Sequence, residues 1–217
     1  MTAGIVRSLA SGDSFDEEKR RWLFAIESNR EYPHAIWWEK KGDGIDGFNP
    51  SVSLAAYMLR RGECPALCAD IVREAVADLR ERAELAGDPL KCYLLAHALL
   101  RKGGVADVVD LDALKRLIVE RLDASVCRDT AKYGVEYAPT PSDFFPGVYA
   151  DFLSADMRGV IDAELAVLPR LQRADGGFDI SWQWNTPYPE AFQQARTWWR
   201  ARLTIDKLLF QRHFTRK

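Results

Sequence analysis

Two helical segments of this sequence are apolar on nearly every side, and they constrain the fold more than any other feature. One starts at Asn49 and the other at Asp88. A helix that is apolar all round has to be buried all round. The segments that start near Ser14, Pro65 and Asp110 carry an apolar stripe on one side only. This alternation predicts an inner layer of short apolar helices covered by an outer layer of amphipathic helices.

Capping and turn residues divide the chain into these helices. Ser14 and Glu17 are spaced as a capping box, and Asn49 followed by Pro50 is typical of a helix start. Two more helices are expected near residues 148–171 and 189–210. No segment alternates apolar and polar residues as a half-buried strand does. We therefore expect an all-α fold that forms a single domain over residues 1–217.

The composition argues against several classes of protein. The chain has 217 residues, of which 47% are hydrophobic, and a formal net charge of -2, which does not favour nucleic-acid binding driven by overall charge. No apolar run is long enough to span a bilayer, and the first residues do not resemble a secretory signal. The four cysteines lack the spacing of a disulfide framework, so we expect reduced thiols in a cytoplasmic protein.

Two loops rich in aromatic residues and glycine carry most of the candidate functional residues. The first covers residues 33–50 and the second residues 171–184. Large rings beside a tight turn are unfavourable in water, so we expect them to be covered or to hold a ligand. The ligand-binding candidates are Trp37, Trp38, Phe48 and Asn49 in the first loop, Phe178, Trp182 and Trp184 in the second, and Tyr93 in the apolar helix that starts at Asp88.

The second loop resembles the repeats of the terpenoid cyclase and protein prenyltransferase superfamily. Those repeats run from a glutamine through an acidic residue and a glycine pair to an aromatic residue. The residues that stand in this order are Gln172, Asp175, Gly176, Gly177 and Phe178. Gly47 and Phe48 look like a second, looser instance. The Asp-x-Asp-Asp acid motif and the Asp-Asp-x-x-Asp metal motif of the superfamily are absent from this sequence.

The resemblance implies an incomplete α/α toroid of about four helical hairpins, with inner and outer helix layers. A ring of this size is open unless another chain closes it. A homodimer, or a different partner chain that completes the toroid, is therefore expected as a partner. The resemblance also implies an apolar small molecule of isoprenoid type as the ligand.

Three residues are candidates for proton transfer. His34 and Glu39 lie in one loop beside two tryptophans and offer an acid–base pair next to an aromatic wall. Asp175 in the second loop is the third candidate. Other interpretations stay open. The tryptophans at 37 and 38 would close one end of the ring while His34 bonds a backbone carbonyl, and Asp175 would stabilise its own turn.

We expect neither a metal nor a cofactor. Cys92 and His97 are five residues apart on a helix and therefore face directions about 140° apart. Asp43 and Asp46 flank a glycine turn but lack the further oxygen ligands of a calcium loop. No glycine-rich phosphate loop and no hydrolase elbow is present.

Three functions fit these observations. The first is a cyclase-like or prenyltransferase-like protein that binds an extended apolar ligand in an aromatic pocket, with or without catalysis. The second is a non-catalytic module for protein interaction or assembly. The third is a carbohydrate-active enzyme of the α/α-barrel type, which requires two carboxyl groups either ~5–5.5 Å or ~6.5–9.5 Å apart.

Overall fold

The structure is a computed structural model that describes residues 2–11, 14–85, 87–105 and 107–215. Helices account for 61% of it and strands for 3%, so the all-α class is confirmed. The chain divides into two compact units. The first comprises Met1–Tyr32 and Trp37–Arg121, and the second comprises Pro33–Ile36 and Leu122–Lys217.

The first unit begins with helix α1 (Thr2–Ala10) and two short antiparallel strands, β1 (Phe15–Asp16) and β2 (Arg21–Trp22). A 3-10 helix follows at Glu27–Glu31 and a second one at Ile36–Trp38, whose first residue belongs to the other unit. The long helices are α2 (Ser51–Arg60), α3 (Pro65–Glu81) and α4 (Gly87–Gly103). The first unit ends at Arg121, within helix α5 (Leu111–Ser125), and the last residues of this helix belong to the second unit.

Helix α2 is the centre of the first unit. Val52, Ala55 and Ala56 are fully buried, and the helix packs on α3 and α4. Helix α3 buries one face and exposes the other, as its amphipathic pattern predicts. Helix α4 is less enclosed than predicted, because Leu95 on it is 44% exposed. The expected difference between buried and half-buried helices is therefore clear for α2 and α3 and weaker for α4.

The prediction of a helix that starts at Ser14 is wrong. The chain instead forms a hairpin in which Phe15 pairs with Trp22. The Asp16 carboxylate accepts a hydrogen bond from the Lys19 amide (2.8 Å), which stabilises the turn rather than a helix. The Trp22 amide donates to the Ser51 hydroxyl (2.9 Å). This non-local bond holds the second strand against α2 and overrides the local capping signal.

The start of α2 also differs from the prediction. Asn49 was expected to cap the helix, but its side-chain amide donates to the Asp46 carboxylate (2.9 Å), and its oxygen accepts from the Cys92 thiol (3.3 Å). Pro50 occupies the cap position and makes no side-chain hydrogen bond to the start of α2. Asp110 does cap α5 as predicted, since its carboxylate accepts the amide of Ala113 (2.9 Å).

The second unit contains α6 (Pro141–Phe144), α7 (Met157–Leu171) and α8 (Pro189–Thr215), with 3-10 helices at Thr130–Lys132 and Ala150–Phe152. Helix α6 packs on α7 and α8. Helix α7 starts at Met157 rather than near residue 148, where Gly147 and Tyr149 both have positive φ and interrupt a regular helix. Helix α8 continues past the predicted end at residue 210 to Thr215.

Candidate functional site

The larger of two described clefts lies in the second unit and has a volume of about 510 Å³. Residues 180–186 form one side of it. The other side consists of Pro189, Phe192, Gln193 and Arg196 at the start of α8. Volumes between roughly 300 and 1,000 Å³ are typical of sites for small molecules. The cleft is therefore large enough for a ligand.

Aromatic rings from both sides meet in this cleft. The ring centroid of Phe192 lies 6.5 Å from that of Trp182 and 5.8 Å from that of Trp184. Trp182 also contacts Trp199 edge to face, with centroids 5.4 Å apart. The Trp184 carbonyl accepts a hydrogen bond from the Ile36 amide (3.2 Å), which fixes the backbone of the loop. The rings form an apolar wall held in place by ring contacts and one backbone bond.

The residues that resemble the cyclase repeat build the turn before this cleft. The Gln172 side chain donates to the Gly176 carbonyl (2.7 Å), and the Gly177 amide donates to the Asp175 carboxylate (3.0 Å). Gly176 has a φ of 81°, a conformation that favours glycine. Phe178, a ligand-binding candidate, is 1% exposed and packs in the core. The motif therefore shapes the backbone, and its aromatic residue is inaccessible to a ligand.

Both carboxylates of this region are paired with arginines. Asp179 accepts from Arg196 through both oxygens (2.9 and 2.6 Å) and from Arg173 (3.0 Å). Asp175 accepts from Arg200 (2.8 Å). The Arg196 hydrogen bonds hold the pKa of Asp179 below its ordinary value. The Gly177 amide, followed by Arg200, lowers the pKa of Asp175. Both groups are therefore ionised at neutral pH and cannot serve as proton donors.

The other two proton-transfer candidates belong to different units. His34 is part of the second unit, where its ring centroid lies 5.9 Å from that of Tyr188. Glu39 is an exposed residue of the first unit. The adjacent Trp38 stacks on Phe24 with centroids 4.7 Å apart, and Trp37 and Trp38 are 40% and 41% exposed. None of the three residues from Trp37 to Glu39 lines either described cleft.

The remaining candidates pack within the first unit. The Arg21 guanidinium lies 3.7 Å from the ring centroid of Phe48, a cation–π contact. The Tyr93 hydroxyl donates to the Ala75 carbonyl (3.0 Å), and burial raises the pKa of this phenol. Asn49 bonds Asp46 and Cys92, as described above. These three residues stabilise the core around α2, and neither described cleft includes them.

A buried polar cluster in the second unit was missed by the sequence analysis. Glu164 on α7 is fully buried and accepts hydrogen bonds from the Ser142 hydroxyl (2.6 Å), the Ser142 amide (2.8 Å) and the Lys207 ammonium (3.2 Å). Lys207 also donates to the Ser142 hydroxyl (2.8 Å). The signal was present in the sequence, because Glu164 interrupts an otherwise apolar stripe of Val160, Ile161, Val167 and Leu168.

Serine, lysine and glutamate in contact resemble an activated nucleophile. Ser142 is only 2% exposed, however, and neither described cleft reaches it. Lys207 lies 5.9 Å from the ring centroid of Phe178, and its side chain is only 12% exposed. The cluster joins α6, α7 and α8 through hydrogen bonds and has a structural role.

A second cleft of about 350 Å³ lies in the first unit. Leu9, Phe15, Trp22 and Met58 give it an apolar lining, to which Cys64 and Cys68 also contribute. Burial raises the pKa of the Cys68 thiol to about 12. A thiol with this pKa is protonated at neutral pH and is a poor nucleophile.

The chain matches no protein-family model, curated protein or solved structure. Within the described residues, no group of three or more His, Cys, Asp and Glu side chains is placed to hold a metal ion. None of the described helices is both long enough and apolar enough to cross a bilayer.

Proposed function

We propose that this chain is a ligand-binding protein of the α/α-toroid class and that its aromatic cleft takes an extended apolar molecule of isoprenoid type. The observation that carries the proposal is the 510 Å³ cleft between residues 180–186 and α8. Trp182, Trp184 and Phe192 offer it a contiguous aromatic wall. A flexible apolar chain laid along these rings would remove both its own surface and theirs from water.

The helices of the first unit support the toroid assignment. In a double-layered ring the inner helices are buried on all sides, and the outer helices keep one solvent-exposed face. Helix α2 has fully buried residues on most sides, whereas α3 buries a single face and packs on it. We assign α2 to the inner layer and α3 to the outer layer. The proposed ring is incomplete and contains about four hairpins.

The state of the carboxylates supports binding without proton transfer. A general acid has to carry a proton near neutral pH. Asp175 and Asp179 are instead held as carboxylates by arginines and backbone amides. The cleft thus has the aromatic surface of a binding site, and its neighbouring acids serve to hold the loop.

The test is calorimetric titration with farnesol and geranylgeraniol. Trp184→Ala removes one ring of the wall, so we expect the Kd to rise about 10- to 30-fold. Trp37→Ala is the matched control, because it removes a tryptophan of the other candidate loop. Binding unchanged in Trp184→Ala but lost in Trp37→Ala would contradict the proposed cleft, and so would an absence of binding to the wild-type protein.

A second candidate, carbohydrate binding, is favoured by the polar residues of the same cleft. Gln183, Asn185 and Gln193 line the cleft together with the two tryptophans. Amides that bond hydroxyl groups, together with rings that stack on a sugar face, suit an oligosaccharide. Titration with gluco- and manno-oligosaccharides distinguishes the two ligand classes. Saturable binding of a sugar that Trp184→Ala abolishes, with no response to the prenyl alcohols, would favour this candidate.

A further inference from the structure

Helix α8 carries an exposed apolar stripe on the side away from its own unit. Phe192, Arg196 and Phe210 face the unit. On the other side, Trp198, Ile205, Leu208 and Leu209 are 66%, 56%, 46% and 41% exposed, and Ala201 is also exposed. We call Trp198, Ala201, Ile205, Leu208 and Leu209 the α8 stripe. A contiguous patch of this kind is typical of an interaction surface.

The charges on α8 do not favour an anionic partner. Arg196, Arg200 and Arg202 are paired with Asp179, Asp175 and Asp206, respectively. Lys207 is paired with the buried Glu164. Four of the five arginine and lysine residues of this helix are thus already neutralised by carboxylates. The surface offered by the stripe is therefore mainly apolar, and an apolar partner matches it better than a phosphate-rich one.

We propose that the α8 stripe binds a second copy of this chain, with the two α8 helices antiparallel. Trp198, Ala201, Ile205 and Leu208 are spaced by three, four and three residues, which is the spacing of the a and d positions of a coiled coil. Such a pattern packs against another helix with the same pattern. A twofold axis then makes each contact occur twice.

The side-chain sizes fit the antiparallel register. In that register Ile205 lies opposite Ala201 of the second copy, and Trp198 lies opposite Leu208 of the second copy. The pairing of a large with a small side chain at the centre lets the two helices approach closely. One turn further out, Gln194 lies opposite Arg212 of the second copy, so no like charges face each other at these inward-facing positions. Arg202, which flanks the stripe near the twofold axis, has its charge paired with Asp206.

The exposed surface is also of the right size. The exposed side chains of the stripe amount to on the order of 500 Å² of apolar surface per copy. A standard interface buries roughly 800 Å² on each partner, of which about 57% is apolar. The exposed area of the stripe is therefore comparable with the apolar part of a standard interface.

Sedimentation velocity over a concentration series tests the proposal with the full chain. The wild-type protein is expected to show a monomer–dimer equilibrium, and Ile205→Glu is expected to weaken the Kd at least about 100-fold. Leu95→Glu is the matched control, because Leu95 is a comparably exposed residue in the middle of α4. Circular dichroism confirms that both variants are folded. A monomeric wild type, an unchanged Ile205→Glu dimer or equal loss in both variants overturns the proposal.

The double variant Ala201→Lys with Ile205→Glu tests the register. In the antiparallel register each lysine faces a glutamate of the second copy, so the double variant is expected to dimerise at least about 10-fold more tightly than Ile205→Glu alone. In a parallel register like charges would face each other and dimerisation would weaken further. An equal or weaker dimer overturns the antiparallel arrangement. Because ligand binding is not needed in either experiment, these outcomes are independent of the proposed function.

Discussion

At the scale of single residues, the buried cluster of Ser142, Glu164 and Lys207 is the most consequential feature. Glu164 is fully buried and its partner Lys207 is only 12% exposed at its side chain. A charge taken out of water has to be compensated by a partner and by hydrogen bonds. The Ser142 hydroxyl and amide provide these bonds to the carboxylate. Loss of either charge, that of Glu164 or that of Lys207, therefore leaves the other one buried without its partner.

Lys207→Met is expected to lower the free energy of unfolding by about 3–5 kcal/mol, because it leaves the Glu164 carboxylate buried without its cation. Urea denaturation followed by circular dichroism measures the loss. The double variant with Glu164→Gln should recover part of it, since both charges are then gone. Arg73→Gln breaks an exposed pair with Asp70 and should cost less than about 1 kcal/mol. Similar losses for Lys207→Met and Arg73→Gln would contradict the structural role of the cluster.

The Asp179 carboxylate makes the stability of the second loop depend on pH. Its pKa in the folded protein is lowered by the Arg196 hydrogen bonds. A lowered folded pKa contributes stability that is fully present above the unfolded value of about 3.9 and is lost as pH falls through the folded value. Asp179→Asn should therefore be less stable than wild type at pH 7, and the difference should shrink below about pH 4. Urea midpoints measured from pH 7 to pH 2 check this, and a difference independent of pH would contradict it.

At the scale of elements, the turn before the cleft depends on glycine conformation. Gly176 has a φ of 81° and open space where a Cβ would lie. A side chain there would therefore destabilise the fold through the backbone conformation and not through contact with neighbouring atoms. Gly159 lies in α7 and also has open space around it, but its φ is not in the positive range. The two glycines therefore differ in backbone conformation and not in the space around them.

Gly176→Ala is expected to lower the free energy of unfolding by about 1–2 kcal/mol, since an L side chain disfavours the left-handed conformation. Gly159→Ala should raise it by roughly 0.5–1 kcal/mol, because alanine loses less backbone freedom in a helix. Thermal unfolding of the two variants beside wild type compares them directly. Changes of the same sign at both positions would contradict the conformational explanation.

At the scale of the whole molecule, local signals predicted the helices better than the site. Pro65 at the start of α3 and Asp110 at the start of α5 act on their own neighbours, so the sequence reveals them. The hairpin at residues 15–22 depends on a bond from Trp22 to Ser51. That contact joins distant parts of the chain, and no local pattern indicates it.

The same difference applies to the cleft. The loop containing Trp182 and Trp184 was expected to be a functional surface because of its composition. The opposite side of the cleft, with Phe192 and Arg196, lies in the helix predicted at residues 189–210, whose pattern does not indicate a site. The first aromatic loop also supplies ligand-binding candidates, but Trp37 and Trp38 do not line the cleft. Which distant rings meet depends on tertiary packing, and spacing along the chain does not reveal it.

Helix α8 has residues of the cleft on one side and the stripe on the other. A helix of 27 residues is about 40 Å long, and both surfaces lie on it. If a small molecule bound between Phe192 and Trp184 shifted α8, it would change how well two copies fit together. By thermodynamic reciprocity, pairing would then alter the affinity for the small molecule by the same factor.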